Sequence, residues 1–527
     1  MKKEIRLTLP PKIAYEESLL KNVVCEKLSL SLQDKLVFRI THRDIDARSR
    51  EIKVNLTLDA YIDESPPSLF VPEFKNVARE QEALIVGAGP AGLFAALRFL
   101  ELGIRPVIIE RGKDVSKRTN DLNDLFTRRI LNPESNFCFG EGGAGAYSDG
   151  KLYTRSGKRG NVRNVLAMLV GFGAKEDILY DSRPHIGSDK LPEIISSMRK
   201  TIIESGGVIR FESKCTDLLI EDDEIRGIKI NDNETVKGIG VVLATGHSAR
   251  DIYELLQRKQ IRIEAKPFAV GLRVEHPQSI VDAMQYHSGT RDPLLPPASY
   301  FLAAQTHIDG HKRGVFTFCM CPGGSIVPSA TAPGEIVVNG MSNSSRDSKY
   351  ANSGIVTSID MEDLAKYGRW GALSGVCLQR EIETRAFEMA GKNFKAPAQG
   401  LIDFVGQKQR GSSLESSYAL GIEYTDLNAV LPDFVARRLR EGLKEFEKKR
   451  KGFLCDEAVL VGVETRTSSP IRIPRDPATF EHVQVKRLYP CGEGSGYAGG
   501  IVSSAMDGIR SADCLAKVNH CQLKPTA

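Results

Sequence analysis

Hydrophobic positions change period along the chain, and each change marks an element. Ala83 to Val86 is a short, unbroken apolar run, as in a strand buried on both faces. Gly87 to Gly92 is a glycine turn. Leu93 to Leu102 follows with helical spacing, and Ala95 and Ala96 keep it slim enough to lie on a sheet. Gly103 stops that helix, and Pro106 to Glu110 supplies the next strand, completing a βαβ unit. Asp114 to Arg129 is again helical. Leu218 to Val242 alternates around the polar turns Glu221-Asp222-Asp223 and Asn231-Asp232-Asn233. That pattern predicts a β-meander leading into a strand, Gly240 to Ala244. Late in the chain, the strand Arg487 to Tyr489 runs through glycines into a helix, Ile501 to Ala516.

Two stretches carry other patterns. Glu4 to Leu9, Leu36 to Ile40 and Ile52 to Tyr61 alternate as strands beside a helix, Glu16 to Leu28. Residues 1–78 are therefore expected to form a small N-terminal α+β domain. Ser65-Pro66-Pro67 and Pro72 mark a linker within it. Residues 257–480 offer strands at Phe268 to Glu275, Gly314 to Phe318 and Glu335 to Val338, and a long helix near 429–451. The basic end of that helix, Lys448 to Lys451, suits the helix dipole. The expected architecture is a discontinuous α/β domain, 79–256 plus 481–520, of Rossmann-like three-layer type with a β-meander. An α+β substrate domain, 257–480, is inserted into it.

Bulk properties add limits. At roughly 100–200 residues per domain, a chain of 527 residues fits two to four domains. A net charge of +5, from 72 Lys+Arg against 67 Asp+Glu, gives no reason to expect nucleic-acid or membrane partners. Met1 to Lys12 has no apolar signal-peptide core, and no run of about 18 apolar residues occurs. Ten cysteines form no disulfide framework, so a cytoplasmic location is expected. His185, His276, His307 and His311 show no metal-ligand spacing, and no metal is expected.

The chemistry-bearing segments are rich in glycine. Gly87-Ala-Gly89-Pro90-Ala91-Gly92 opens the first helix after a strand. A dinucleotide pyrophosphate needs backbone N–H groups at a helix start with no side chains in the way. Gly87 permits the turn, Gly89 lets phosphates approach, and Gly92 lets the helix sit on the strand. Glu110 lies 23 positions after Gly87, near the ~20 expected for an acid that binds ribose hydroxyls. Arg111 follows it, more readily an ion-paired residue than a phosphate reader. A second loop carries Gly142, Gly143, Ala144, Ser148 and Gly150, followed by Lys151. Such a loop can lie against a flat ring or a ribityl-phosphate chain. A third segment is Ala244-Thr245-Gly246, where a strand empties into a glycine. The fourth holds Gly492, Glu493, Gly499, Gly500 and Ile501 before the last helix, whose N-terminus suits negative charge.

Together these segments resemble the FAD/NAD(P)-binding superfamily, the two-dinucleotide and aromatic-hydroxylase-like flavoproteins. More narrowly, EGGAGAYSDGKL at 141–152, ATGHSARD at 244–251, CPGG at 321–324 and GEGSGYAGGI at 492–501 resemble a bacterial group of uncharacterised FAD-dependent dehydrogenases. Asp44-Ile45-Asp46-Ala47-Arg48 is similar to that group's small leading domain. The resemblance covers nearly the whole chain. It implies non-covalent FAD, with Glu493 near the ribityl and phosphate region, and brings no established substrate. Two departures matter. No C-x-x-C or C-x-x-x-x-C lies near the flavin segments, which disfavours a dithiol relay of the disulfide-reductase type. Cys319 and Cys321 form a C-x-C that reads as two structural thiols on a strand, ahead of a metal or redox role. There is also no second G-x-G-x-x-G after a strand, so NAD(P)H is expected only as a transient electron donor.

Flavin enzymes leave the hard chemistry to the cofactor, while the protein orients it and moves protons. His247, Tyr497 and Glu464 are the candidate reacting groups. Each also has a plain structural reading: a hydrogen bond to backbone, packing, and an ion pair within the polar cluster of Glu464 and Arg466. Asn339 to Asn343 and Gln399 are further candidates for the cavity wall. The sequence thus reads as an FAD-dependent oxidoreductase of an unidentified small molecule. Its alternatives are a flavoprotein redox sensor or electron-transfer protein with a protein partner and, with less support, a flavin-dependent RNA-modifying enzyme.

Overall fold

The computed structural model describes residues 1–31, 35–67, 72–154, 160–408 and 414–522. Residues 68–71 of the expected linker lie outside the described residues. The βαβ unit builds the centre of a five-stranded parallel sheet, ordered Leu488–Pro490, Val241–Leu243, Glu82–Val86, Arg105–Ile109, Val208–Arg210. Strand side chains alternate between faces, and both faces are buried. Ile85, Ile108, Val242 and Tyr489 face the helices, packing with Phe94, Leu97 and Ile195. Leu84, Val86, Val107, Ile109, Val241 and Leu243 face the other way, onto Leu218, Ile225 and Ile228. Those last three belong to the meander Cys215–Glu221, Glu224–Ile230, Glu234–Lys237. Helices, sheet and meander make three layers.

The helix Pro90–Leu102 ends on Gly103 at φ +78, the left-handed stop expected of that glycine. The C-terminal helix Ile501–Gln522 lies against its first turn. A Cβ on Gly508 would stand 2.1 Å from the Ala91 carbonyl oxygen, so only glycine allows that approach.

A seven-stranded sheet stands beside this unit, ordered Ala303–Ile308, His311–Cys321, Tyr350–Ile359, Phe268–Pro277, Val459–Glu464, Ala396–Gly400, Ile422–Tyr424. The helix Asp433–Lys449 packs on it through Val435, Leu439, Leu443 and Phe446. The helix expected near 429–451 is in fact two, Leu427–Val430 and Asp433–Lys449. Pro432, with no N–H to donate, separates them. The strand expected over Glu335 to Val338 lies later, at Val338–Ser342, and pairs with Gly324–Pro328.

The N-terminal unit is a three-stranded antiparallel sheet, Lys2–Leu9, Lys53–Ile62, Leu36–Asp46, under the helix Glu17–Leu28. It docks on the rest through Arg43. Two hydrogen bonds join that guanidinium to Asp181, at 2.6 and 2.9 Å. It also sits over the rings of Tyr15 and Tyr180, 5.1 and 5.0 Å from their centroids. No described helix is long and apolar enough to cross a membrane.

His276 is wholly buried within the seven-stranded sheet, where its Nε2 bonds the Phe453 carbonyl at 2.8 Å. Burial pushes the imidazole down to about 4, against the pull of that hydrogen bond. The folded protein therefore holds it neutral, whereas the unfolded chain protonates it near 6.5. Its contribution is complete above about pH 6.5 and is lost as pH falls toward 4, up to roughly 3 kcal/mol. Urea unfolding at pH 7 and pH 5 checks this: His276→Gln should show a smaller loss of stability between the two. An unchanged loss would remove His276 from the account.

Candidate cofactor and substrate cleft

A cleft of about 1890 Å³ opens at the carboxyl ends of the parallel strands. Open α/β sheets bind ligands at that edge. Gly87, Gly89, Pro90 and Ala91 line it from the first turn, and Glu110 and Arg111 from the second strand end. Gly143, Ala144, Ser148, Gly150 and Lys151 come from the second glycine loop. Ala244, Thr245 and Gly246 follow the middle strand, and Gly492, Glu493, Gly499, Gly500 and Ile501 precede the last helix. The expected cofactor set is thus brought to one crevice, with two differences. Gly92 faces Gly87, whose carbonyl oxygen would lie 1.9 Å from its Cβ; this is the helix-on-strand contact expected of it. Gly142, at φ +78, turns toward Ile195 and Ala146 instead of the cleft. Its N–H donates to the Ala88 carbonyl at 2.9 Å.

Two helix starts point into the crevice. Gly89 caps Pro90–Leu102 with no side-chain cap and no acid in the first turn, leaving a positive end uncompensated. Gly499 and Gly500 precede Ile501–Gln522, and a Cβ on either would meet nothing within 4 Å. Gly89 and Gly143 nearly touch: a Cβ on Gly143 would sit 3.2 Å from the Gly89 Cα. The Gly499 N–H donates to Ser503 Oγ at 3.0 Å and the Gly500 N–H to Glu493, so it is the uncapped first helix start, with the open glycines and narrow backbone walls, that suits a phosphate-bearing dinucleotide. The residues present therefore fit FAD.

The charged neighbours are largely engaged with protein. Glu110 accepts N–H groups from Ala88 at 2.8 Å, Gly112 at 2.9 Å and Gly140 at 3.0 Å, tying the first turn to the second loop. Arg111 pairs with Asp251 at 2.6 Å and lies over the Phe139 ring, 4.4 Å from its centroid. Ser148 Oγ donates to the Gly145 carbonyl and accepts from the Gly150 N–H.

All three candidate reacting groups line the cleft, in different circumstances. His247 Nε2 stands 3.5 Å from Glu493, and its Nδ1 is buried without a partner among the described residues. Burial pulls its imidazole below the ordinary value; Glu493 opposes this, while Arg466 and Arg250 reinforce it. Tyr497 Oη accepts the Arg475 backbone N–H at 3.1 Å, and the Arg475 guanidinium lies 4.0 Å from its ring centroid. Glu464 takes two bonds from Arg273, at 2.6 and 3.1 Å, deep in the seven-stranded sheet. Arg466, expected to share a cluster with Glu464, turns instead to Glu383 and Glu335, both at 2.9 Å. Arg250 joins that second, fully separate network through Glu383 at 2.8 Å.

Sequence reading missed Arg273, fully buried behind the cleft in a mostly apolar strand with no local hint of its role, and several residues of the cleft wall. Leu294, Leu295, Tyr300, Phe301, Phe316 and Phe318 form an apolar wall, and Tyr15, Arg43 and Ile45 bring the N-terminal unit to the rim. Asn339 lines the cleft, but Met341, Ser342 and Asn343 do not. Gln399 is also elsewhere, donating to the Lys408 carbonyl and accepting the Leu427 N–H.

Fold and cleft together define an FAD-binding flavoprotein, and comparison with known proteins agrees. Residues 80–120 match an FAD-binding domain, 267–467 match the C-terminal domain of FAD-dependent proteins, and 1–61 match a domain of unknown function (DUF8436). An uncharacterised protein of Clostridium beijerinckii is 40% identical over 517 residues, 94% of this chain and 95% of that one. This chain belongs to the same family of FAD-dependent proteins. Among solved structures, the flavin-dependent brominase Bmp2 aligns over 83% of this chain and 79% of its own, at 12% identity and a TM-score of 0.36. A geranylgeranyl bacteriochlorophyll reductase-like protein of Thermoplasma acidophilum aligns over 84% and 79%, at 12% identity and a TM-score of 0.33. Likenesses so distant say nothing about the reaction.

Proposed function

We propose that this chain is an FAD-dependent oxidoreductase of a small molecule, with NAD(P)H docking transiently as electron donor. The observation that carries the reading is the size and lining of the cleft. Small-molecule pockets typically measure about 300–1,000 Å³, so 1890 Å³ leaves room for a dinucleotide and a second ligand. Glycine backbone lines one part and the apolar wall from Leu294 to Phe318 the other. FAD supplies two-electron transfer when bound. The chain would hold its phosphates at the uncapped start of Pro90–Leu102, offers an apolar surface to the second ligand, and presents His247 as a proton acceptor. A buried imidazole held below its ordinary value is neutral at pH 7 and therefore takes a proton instead of giving one.

The test is reconstitution followed by anaerobic reduction. Purified protein should retain FAD through gel filtration, and NADH or NADPH should bleach the flavin absorbance. Protein that stays colourless after reconstitution would overturn the cofactor reading. FAD-loaded protein that neither nicotinamide reduces would overturn the donor.

A further inference from the structure

The strand His311–Cys321 slips register against Tyr350–Ile359 between Phe318 and Cys321. Within the slip, Cys319 takes a left-handed backbone at φ +46. Residues other than glycine seldom hold that conformation, and they collect at functional sites. The result is unlike two independent structural thiols. Lys151 Nζ stands 3.4 Å from Cys321 Sγ and 3.8 Å from Cys319 Sγ, so both sulfurs share one ammonium. Their exposure differs: Cys319 is half-buried and lines the cleft, while Cys321 is fully buried behind it. The Cys321 thiol also contacts the Cys319 carbonyl at 3.3 Å.

The surrounding charges favour a thiolate in front. Arg273 reaches the Cys319 carbonyl at 3.4 Å. Asp149 is held by Lys151 at 3.3 Å and Arg346 at 2.7 Å, and Glu464 by Arg273. A side-chain hydrogen bond from Cys321 pulls Cys319 down to about 5; burial opposes this, and Lys151 and Arg273 assist it. The same contact, with burial, pushes Cys321 well above its ordinary value. The pair therefore presents a thiolate to the cleft and a neutral thiol behind it, the division of labour of an attacking and a resolving cysteine.

We propose that Cys319 and Cys321 form a redox-active dithiol that reduces a small disulfide entering the cleft. The Cys319 thiolate attacks one sulfur of that disulfide. A mixed disulfide forms, and the other ligand sulfur leaves as a thiolate, which takes the proton of the Cys321 thiol. Cys321 then attacks Cys319 Sγ, the Cys319–Cys321 bond forms, and the second ligand thiolate leaves. Two electrons pass from the pair to the ligand, which departs as one thiol and one thiolate. An external dithiol restores the pair by the same exchange in reverse. The inference rests on side-chain geometry and stands apart from the nicotinamide reading.

FAD-loaded protein, reduced and desalted, is equilibrated without oxygen against a series of reduced and oxidised glutathione mixtures. It is then quenched in acid, alkylated and digested, and the peptide carrying residues 319–321 is weighed. The doubly alkylated peptide should give way, as the oxidised share rises, to one that carries no alkyl group and is two hydrogens lighter than the free dithiol. Cys321→Ser should trap glutathione on Cys319, and Cys319→Ser should trap none. At neutral pH iodoacetamide should modify Cys319 at least about tenfold faster than Cys138, as a low-pKa thiolate requires. Lys151→Met should slow that reaction. A peptide that stays dithiol across the whole series, or a Cys319 no faster than Cys138, would overturn the proposal. Should the variants not fold, the redox series on the unaltered protein decides alone.

Discussion

Gly89→Val is expected to yield a folded protein that no longer holds FAD. Gly89 has φ −75 and ψ −177, backbone that valine adopts readily. Among the described residues a Cβ there meets only the Gly143 Cα, at 4.0 Å, so the side chain finds space without displacing the fold. That space is the cleft itself, in front of the uncapped helix start. The Kd for FAD should rise on the order of 100-fold or more, ~2.7 kcal/mol, with circular dichroism and melting of the cofactor-free proteins matched. Gly92→Ala makes the contrast. Its Cβ would lie 1.9 Å from the Gly87 carbonyl oxygen, so backbone must move, and fold and flavin should suffer together. Equilibrium dialysis beside circular dichroism separates the two cases. Wild-type affinity in Gly89→Val would place the cofactor elsewhere.

Arg273→Met should be strongly destabilising. Arg273 and Glu464 are 0% and 3% exposed, and the guanidinium also bonds Asn352 at 2.6 Å and Asn339 at 3.1 Å. Removing one member of a buried pair leaves an uncompensated charge, at a cost of about 3–5 kcal/mol. Replacing both members removes that charge, so Arg273→Met/Glu464→Leu should recover part of the loss. Urea unfolding of wild type, single and double variants gives the comparison. If the double variant is no more stable than the single one, charge burial is not what the pair manages. A stable Arg273→Met protein lacking only turnover would instead place Glu464 among the catalytic groups.

The flavin-side fold was legible because its signals are local. Ala83 to Val86 is an unbroken apolar run, and the glycines that follow have few alternatives to a tight turn. The seven-stranded sheet was legible only in pieces. Ala396–Gly400 reads APAQG and Ile422–Tyr424 is three residues long, so distant partners make them strands. The cleft divides the same way. Its glycine segments announced themselves, whereas the Arg273–Glu464 pair spans 191 positions and the Lys151–Cys319 contact 168. No neighbouring residue signals either meeting. Cys319 itself looked structural because its left-handed turn follows from a register slip between strands, which sequence spacing does not display.

The glycine-mediated contact of Gly508 with Ala91 ties the order of cofactor capture to the order of synthesis. Chains emerge from the ribosome N-terminus first, so the first glycine turn is made hundreds of residues before the helix that completes the crevice beside it. A nascent chain at residue 480 lacks the edge strand, Glu493 and the second helix start alike. Flavin retention should therefore begin only after the helix Ile501–Gln522 has left the ribosome, and stalled intermediates should remain unpigmented until that helix is free to dock.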